Sequence, residues 1–245
     1  MRKFLLLTMA LTCCHAAPRA LPVEIVAPQH RVIQLQGITL QTVSFDARSH
    51  RLRIVDQPKG PGTLFANAEA AAQSVQGLAA INAGYFTPEG KPLGVMISQS
   101  KKLGGNNPSS LGSAVWFEAK GRTGIVRREK SNFNAPELLQ AGPLLSENSQ
   151  AIAGLENAKN SARCFIAWDG GTMWMIARTS PCTLAQLSAS IAGQSPCGFP
   201  ISTALNLDGG TSADLYVSRN IAGGPGLYRA LWNKPVRNFL VLEKR

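Results

Sequence analysis

From Arg31 to Val55 the chain reads RVIQLQGITLQTVSFDARSHRLRIV, with apolar side chains at every second position over most of its length. That alternation is the signature of half-buried strands, and the segment predicts two or three of them, antiparallel. The period then changes. In TLFANAEAAAQSVQGLAAINAGYF, an alanine-rich stretch from Asn67 to about Val75 predicts a short helix ending at Gly77, and Leu78 to Ile81 follows as a strand leading into the polar NAGYF. VMISQSKKL and AVWFEAKGRTGIV are further strands on either side of the loop GGNNPSSLG. LLQAGPLLSENSQ holds a Gly-Pro turn, and RCFIAWDGGTMWMIA reads as a hairpin about Asp169-Gly170-Gly171. TLAQLSASIAG is a helix opened by Thr183, and VRNFLVLEKR closes the chain as a strand. The pattern predicts an α+β fold: one domain over residues 31–245, with mixed, largely antiparallel sheets and a few short helices.

Composition supports a core of this kind, with 44% apolar residues and 23 glycines falling mostly between apolar runs. At the N-terminus Arg2 and Lys3 precede an apolar run from Phe4 to Leu11 and then small residues. This is the layout of a secretory signal peptide over residues 1–16, too short to span a bilayer. A lipoprotein anchor at Cys13 is the weaker alternative, and residues 17–30 read as an arm. The expected location is periplasmic or secreted, with no transmembrane segment after the signal is removed.

The formal charge is +11, yet the basic residues are scattered: Arg48, Arg51 and Arg53 form one small group, and Arg127, Arg128 and Lys130 another. Neither is interleaved with aromatics, so nucleic acid is not expected as a partner, and anionic substrates or polymers are. Of the cysteines that remain after processing, Cys164 sits in an apolar run. Cys182 and Cys197 flank the second helix and are expected to form a disulfide in an oxidising compartment. The three histidines, His15, His30 and His50, all lie in the first quarter of the chain. That distribution argues against a Ser-His or Cys-His triad and against a histidine-rich zinc site.

The triplet Asp-Gly-Gly occurs twice, at 169 and at 208, and its context separates the two copies. Asp169 lies between aromatic-rich strands at hairpin spacing and is a turn. Asp208 follows the short strand Ala204–Leu207, where two-residue alternation puts Asn206 on the same face as Asp208. Gly209 and Gly210 permit close approach of a ligand, and Thr211 and Ser212 add hydroxyls at a turn suited to an anion. Asn82 and Arg163 are the other polar residues in apolar settings. Gathered into one cleft, the three would supply an arginine for an anion, an asparagine for a hydroxyl and an aspartate for proton transfer or attack. Tyr85, Trp116, Trp168, Trp174 and Trp232 could offer a sugar an aromatic platform.

NAGYF at 82–86 followed by Pro92-Leu93-Gly94, AGPLL at 141–145, NSAR at 160–163 and ALNLDGGTSADLYV at 204–217 together resemble the ordered motifs of the phosphodiester glycosidase family, over about Ile38 to Leu242. The resemblance implies hydrolysis of the glycosidic bond of a sugar-1-phosphodiester, with a sugar-phosphate or glycan as partner. It implies catalytic parts for Asp208, Arg163 and Asn82, and substrate binding by Gly84, Tyr85, Asn206, Gly209, Gly210, Thr211 and Ser212. Arg163 would hold the phosphate, and Asp208 would serve the water or the developing oxocarbenium ion. Candidates for a second carboxylate include Asp214 and Glu89. No cofactor is required; a divalent cation bridging Asp208 to phosphate is compatible with the chemistry, and no spacing demands one. The chain departs from the family pattern after Arg163, where Cys164, Phe165 and Ala167 replace smaller or more flexible residues, and at Thr211, which stands for a glycine. Those departures raise a second expectation, a glycan-binding protein that keeps the fold without catalysis.

Overall fold

The computed structural model describes residues 24–245, so the signal peptide and Cys13 lie outside the described residues. The fold is α+β: three antiparallel sheets enclose a common core, and two short helices cover outer faces. The arm ends sooner than the sequence implies, because Gln29 already opens the strand Gln29–Leu35. Gln36 and Gly37, both at positive φ, make the two-residue hairpin that returns the chain as Ile38–Asp46. The third strand of that stretch, His50–Asp56, leaves for another sheet and pairs with Asn238–Lys244.

The first sheet has seven strands in the order Gln29–Leu35, Ile38–Asp46, Met173–Thr179, Cys164–Trp168, Thr203–Asn206, Leu144–Glu147 and Gln150–Ala151. The second runs Gly226–Arg229, Asp214–Val217, Ala79–Asn82, Asn238–Lys244 and His50–Asp56. The third runs Lys101–Leu103, Met96–Ser98, Glu137–Ala141, Ala114–Ala119 and Arg122–Arg127. Their inner faces meet around Phe45, Ile54, Ile81, Trp116, Trp174 and Leu240, drawn from all three sheets.

The helices explain why some strands are apolar on both faces. Phe239 and Val241 point to helix α1 (Ala68–Ser74), while Leu240 and Leu242 point to the core, so FLVL reads as a continuous apolar run. On the first sheet, Phe165 and Ala167 face helix α2 (Leu184–Ile191), and Cys164 and Ile166 face the core. Asn67 caps α1 by accepting from the Ala70 N–H, and Thr183 and Gln186 form a capping box on α2. The loop 104–112 is ordered by one buried amide: Gln140 Oε1 accepts from the Val95 and Asn107 N–H groups, both at 3.0 Å, and Nε2 donates to the Gly112 carbonyl at 2.9 Å.

The expected Cys182–Cys197 disulfide is corrected by the structure: both are free thiols. Cys182 Sγ lies 3.5 Å from Thr179 Oγ1 and Cys197 Sγ lies 3.3 Å from Met175 Sδ. Those neighbours stand four residues apart on one strand, roughly 13 Å, whereas a disulfide requires Cβ atoms within about 4.5 Å. The sulfurs therefore cover different parts of the same sheet.

Two outcomes follow. Gln140→Ala orphans buried backbone groups and lowers stability by about 2–4 kcal/mol in a denaturant titration; a loss below half a kcal/mol would show that the loop does not depend on this amide. Replacing Cys182 and Cys197 together by Ser changes the urea midpoint equally under oxidising and reducing conditions, and a selective loss under oxidising conditions would establish the bridge.

Candidate functional site

The chain passes from the first sheet to the second through residues 207–213, and this crossover builds the site. After the strand Thr203–Asn206, the Leu207 N–H donates to the Cys164 carbonyl and the Asp208 N–H to the Ala83 carbonyl, at 2.8 and 2.9 Å. The Gly210 N–H donates to the Ala162 carbonyl at 2.7 Å. These bonds press the backbone at 209 against residue 162: a Cβ on Gly209 would sit 2.8 Å from the Ala162 oxygen, and Gly210 has φ +64°. Two glycines are therefore required at this corner whatever it binds.

Asn82 lies beneath the crossover, fully buried. Its Nδ2 donates to the Asp208 carbonyl at 2.7 Å and its Oδ1 accepts from the Asp214 N–H at 3.0 Å, so both ends of the amide are spent on backbone. Gly84 is also below, its N–H donating to Asn238 Oδ1 at 2.7 Å. Neither residue lines the cleft. The structure places both as supports of the crossover, where the sequence suggested contact with substrate.

Above it lies a cleft of about 270 Å³ whose lining includes Tyr85, Lys159, Arg163, Asn206, Asp208 and the two glycines, with Leu111 and Leu184 as apolar walls. Asp208 is half-buried and its Oδ1 accepts from the Gly209 N–H at 2.8 Å. Burial pushes its pKa up from the usual aspartate value, against the Ser212 hydroxyl, the Gly209 N–H and the charge of Lys159, which pull it down. Arg163 is 9% exposed. Its Nε donates to the Cys182 carbonyl at 3.0 Å and its Nη2 to the Lys159 carbonyl at 2.5 Å, with Glu156 3.4 Å away; among the described residues Nη1 takes no partner. The guanidinium is thus held from behind with donors to spare.

Asn206 Nδ2 donates to Tyr85 Oη at 2.7 Å and to the Leu207 carbonyl at 2.8 Å, while its buried Oδ1 has no partner among the described residues. The Tyr85 hydroxyl in turn donates toward the Gly142 carbonyl at 2.8 Å, and burial raises its pKa. Thr211 is exposed at the rim, and Ser212 is buried behind Asp208.

Neither candidate for a second carboxylate reaches the cleft. Asp214 Oδ2 accepts from the Ala68 N–H at 2.9 Å and pairs with Arg229 at 3.3 Å on the far side of the crossover. Glu89 stands on an exposed loop, its pKa lowered by the Thr87 hydroxyl. Among the described residues Asp208 is the one carboxylate in the cleft lining, and no group of three or more His, Cys, Asp or Glu is disposed to hold a metal ion. Asp169 is a turn residue, its Oδ1 accepting from the Gly171 and Met173 N–H groups. Of the aromatics, Trp116 and Trp174 are core residues, Trp168 stacks on Trp174, and Trp232 stands in solvent outside the cleft. A larger cavity of about 560 Å³ opens between His50–Asp56, α1 and the third sheet, but its carboxylate, Asp56, is already paired with Arg237 at 2.7 Å.

Glu156, Lys159 and Ser161 are the site residues that sequence reasoning missed. They lie in LENAKNSA, which has no periodicity to place it, and the signals were its position directly ahead of Arg163 and, for Ser161, the NSAR motif.

A sequence profile of the phosphodiester glycosidase family matches residues 76–243. No curated protein sequence matches the chain. The fold is similar to that of the zebrafish N-acetylglucosamine-1-phosphodiester alpha-N-acetylglucosaminidase catalytic domain, auto-inhibited by its pro-peptide. The TM-score is 0.61 at 18% identity, over 89% of this chain and 82% of that one. It is also similar to a hypothetical protein from Synechocystis, with TM-score 0.59 and 17% identity over 89% of this chain and 62% of that one. A putative exported protein from Burkholderia pseudomallei gives TM-score 0.61 and 12% identity, over 84% and 74%.

The raised pKa of Asp208 fixes the sign of a pH effect on stability. Above the unfolded-state pKa the native state binds the proton more tightly than the unfolded chain, so the group's contribution declines as pH rises through the folded pKa. Asp208→Asn is accordingly expected to raise Tm at neutral pH, with the gain shrinking as pH falls toward the usual carboxylate range. A Tm lowered at neutral pH would contradict a desolvated carboxylate.

Proposed function

Because the chain belongs to the phosphodiester glycosidase family, we propose that it hydrolyses the glycosidic bond of a sugar-1-phosphodiester, acting in the periplasm or outside the cell on envelope or exopolysaccharide material. The observation that carries this reading is one desolvated carboxylate, Asp208, in the same small cleft as the anchored guanidinium of Arg163.

The chemistry suits what the cleft offers. A phosphate leaving group departs as a stable anion, so it needs positive charge more than a proton. Arg163, with Lys159 beside it, meets the non-bridging oxygens. Asp208 accepts a proton from water as the water oxygen bonds to the anomeric carbon and the carbon–oxygen bond to phosphate breaks; the products are the free sugar and a phosphomonoester. A carboxylate with a raised pKa is the better base for this step. With Asp208 the one carboxylate lining the cleft among the described residues, a single displacement by water is favoured over a covalent intermediate that a second carboxylate would help to resolve. Asn206 orients Tyr85 by donating to its hydroxyl. Asn82 acts through the backbone of Asp208 and is a positioning residue.

The departures after Arg163 do not weigh against activity. Cys164, Phe165 and Ala167 are fully buried in the first sheet, packed on the core or on α2, and none lines the cleft. Their burial supports the hydrolytic reading over a non-catalytic glycan-binding protein.

The test is product release from a panel of sugar-1-phosphodiesters. Asp208→Asn is expected to lower kcat by about 10²- to 10⁴-fold with folding intact. Arg163→Lys, which keeps the charge and loses the planar fork, is expected to lower kcat/KM by about 10- to 100-fold. Unchanged turnover in Asp208→Asn would remove its assigned role, and saturable glycan binding by a wild type that turns over none of the panel would favour the binding protein.

A further inference from the structure

The turn Ala230–Asn233 is closed by the Asn233 N–H donating to the Ala230 carbonyl at 3.1 Å, which puts Leu231 and Trp232 at its two central positions. Gly, Pro, Asn, Asp and Ser usually fill such corners. Here Leu231 is 101% exposed and Trp232 75%. An exposed apolar pair could belong to a loose loop, but this one is tied on three sides. The Lys234 N–H donates to the Thr211 carbonyl at 2.8 Å, and Asn233 Nδ2 to the Ala213 carbonyl at 2.5 Å. Arg229 donates to the Asn233 carbonyl at 3.2 Å and to the Ala66 carbonyl at 3.1 Å while paired with Asp214.

The adjoining loop 57–66 is bound to the same structure through Gln57, whose Nε2 donates to the Val236 carbonyl at 2.7 Å and whose Oε1 accepts from the Leu64 N–H at 2.8 Å. That loop presents Leu64, 60% exposed. A third loop, 87–91, is attached where Arg237 Nη1 donates to the Gly90 carbonyl. Across the three loops Lys59, Lys91 and Lys234 are exposed, against the one exposed carboxylate of Glu89. Thr211, the anchor of the turn, follows directly in the chain on the glycines that line the cleft.

We propose that these loops dock the protein on an anionic lipid bilayer, with Leu231 and Trp232 entering the boundary between headgroups and acyl chains and the lysines meeting anionic headgroups. Convex shape, a Trp beside a Leu, and surrounding lysines are the features of interfacial membrane contact. A sugar platform would use the indole face and gains nothing from a fully exposed leucine at its side. The formal charge, +11 for the full chain and about +9 without Arg2 and Lys3 of the expected signal peptide, acts in the same direction. Docking would bring the enzyme to sugar phosphodiesters carried at a membrane surface; this last step rests on the proposed hydrolysis, whereas docking does not.

The experiment is flotation of the full chain with vesicles of phosphatidylglycerol and phosphatidylethanolamine, beside vesicles of phosphatidylcholine alone, with brominated acyl chains to quench tryptophan. Trp232 is the one strongly exposed tryptophan, and none occurs in residues 1–28, so quenching reports on this turn. Expected are binding to the anionic vesicles, quenching that disappears in Leu231→Ser/Trp232→Ser, and affinity lower in that variant by about tenfold or more, from the apolar area removed. Both side chains are in solvent, so the variant keeps its fold, and Asp208→Asn binds as wild type does even if no substrate is hydrolysed. The proposal is overturned if wild type leaves the anionic vesicles unbound, or if the double variant floats as well as wild type, which would assign binding to another segment. It is equally overturned if soluble glycan, and not vesicles, alters Trp232 emission.

Discussion

Between the first and second sheets, the carboxamide of Asn82 joins two points of a crossover that no regular strand pairing could hold. One end takes the Asp214 N–H and the other gives a hydrogen bond to the Asp208 carbonyl. Each bond contributes about 1 kcal/mol net, but the groups it satisfies are buried, and leaving them unpaired would cost about 1–3 kcal/mol apiece. The crossover must also pass within van der Waals contact of residue 162, which Gly209 and Gly210 make feasible. The position of Asp208 follows from these constraints: its backbone is fixed on both sides, so its carboxylate has little choice but to face the cleft.

From that placement follow the electrostatics. Burial disfavours the charged form of the Asp208 carboxylate, and its pKa is raised against the Ser212 hydroxyl, the Gly209 N–H and the charge of Lys159. Arg163 is arranged in the opposite sense: it is nearly buried, but backbone carbonyls and Glu156 compensate its charge from behind. The cleft therefore combines a carboxylate with an affinity for a proton and a cation with donors to spare. Under the proposed hydrolysis, folding stability is reduced at Asp208 for the sake of a reactive group, a trade common at sites of chemistry.

Much of this was legible in the chain. Alternation disclosed the strands, Asn67 and Thr183 marked both helix starts, and context distinguished the Asp-Gly-Gly at 208 from the turn at 169. What was hidden depended on distance in space. Two-residue alternation does not reveal that His50–Asp56 leaves its hairpin neighbours for another sheet, since that partner lies nearly two hundred residues on. Cysteines at the two ends of a short helix suggested a bridge, but their sulfurs cover different stretches of one strand. Asp214 and Glu89 have the right chemistry and face elsewhere, while Lys159 carries no pattern and reaches the cleft through a loop, with Glu156 beside Arg163 outside the lining. Asn82 was singled out correctly as a polar residue in an apolar frame, and only its partners reveal that it supports the site from below.

The most direct measurement is a carbon-13 NMR titration of the side-chain carboxyls, with the Asp208 signal assigned by its loss in Asp208→Asn. The account predicts that Asp208 titrates above the usual aspartate range and that its signal moves when a sugar 1-phosphate is added. A midpoint at or below that range, with no response to the ligand, would show that Asp208 is an ordinary turn carboxylate and that the cleft is not built around it.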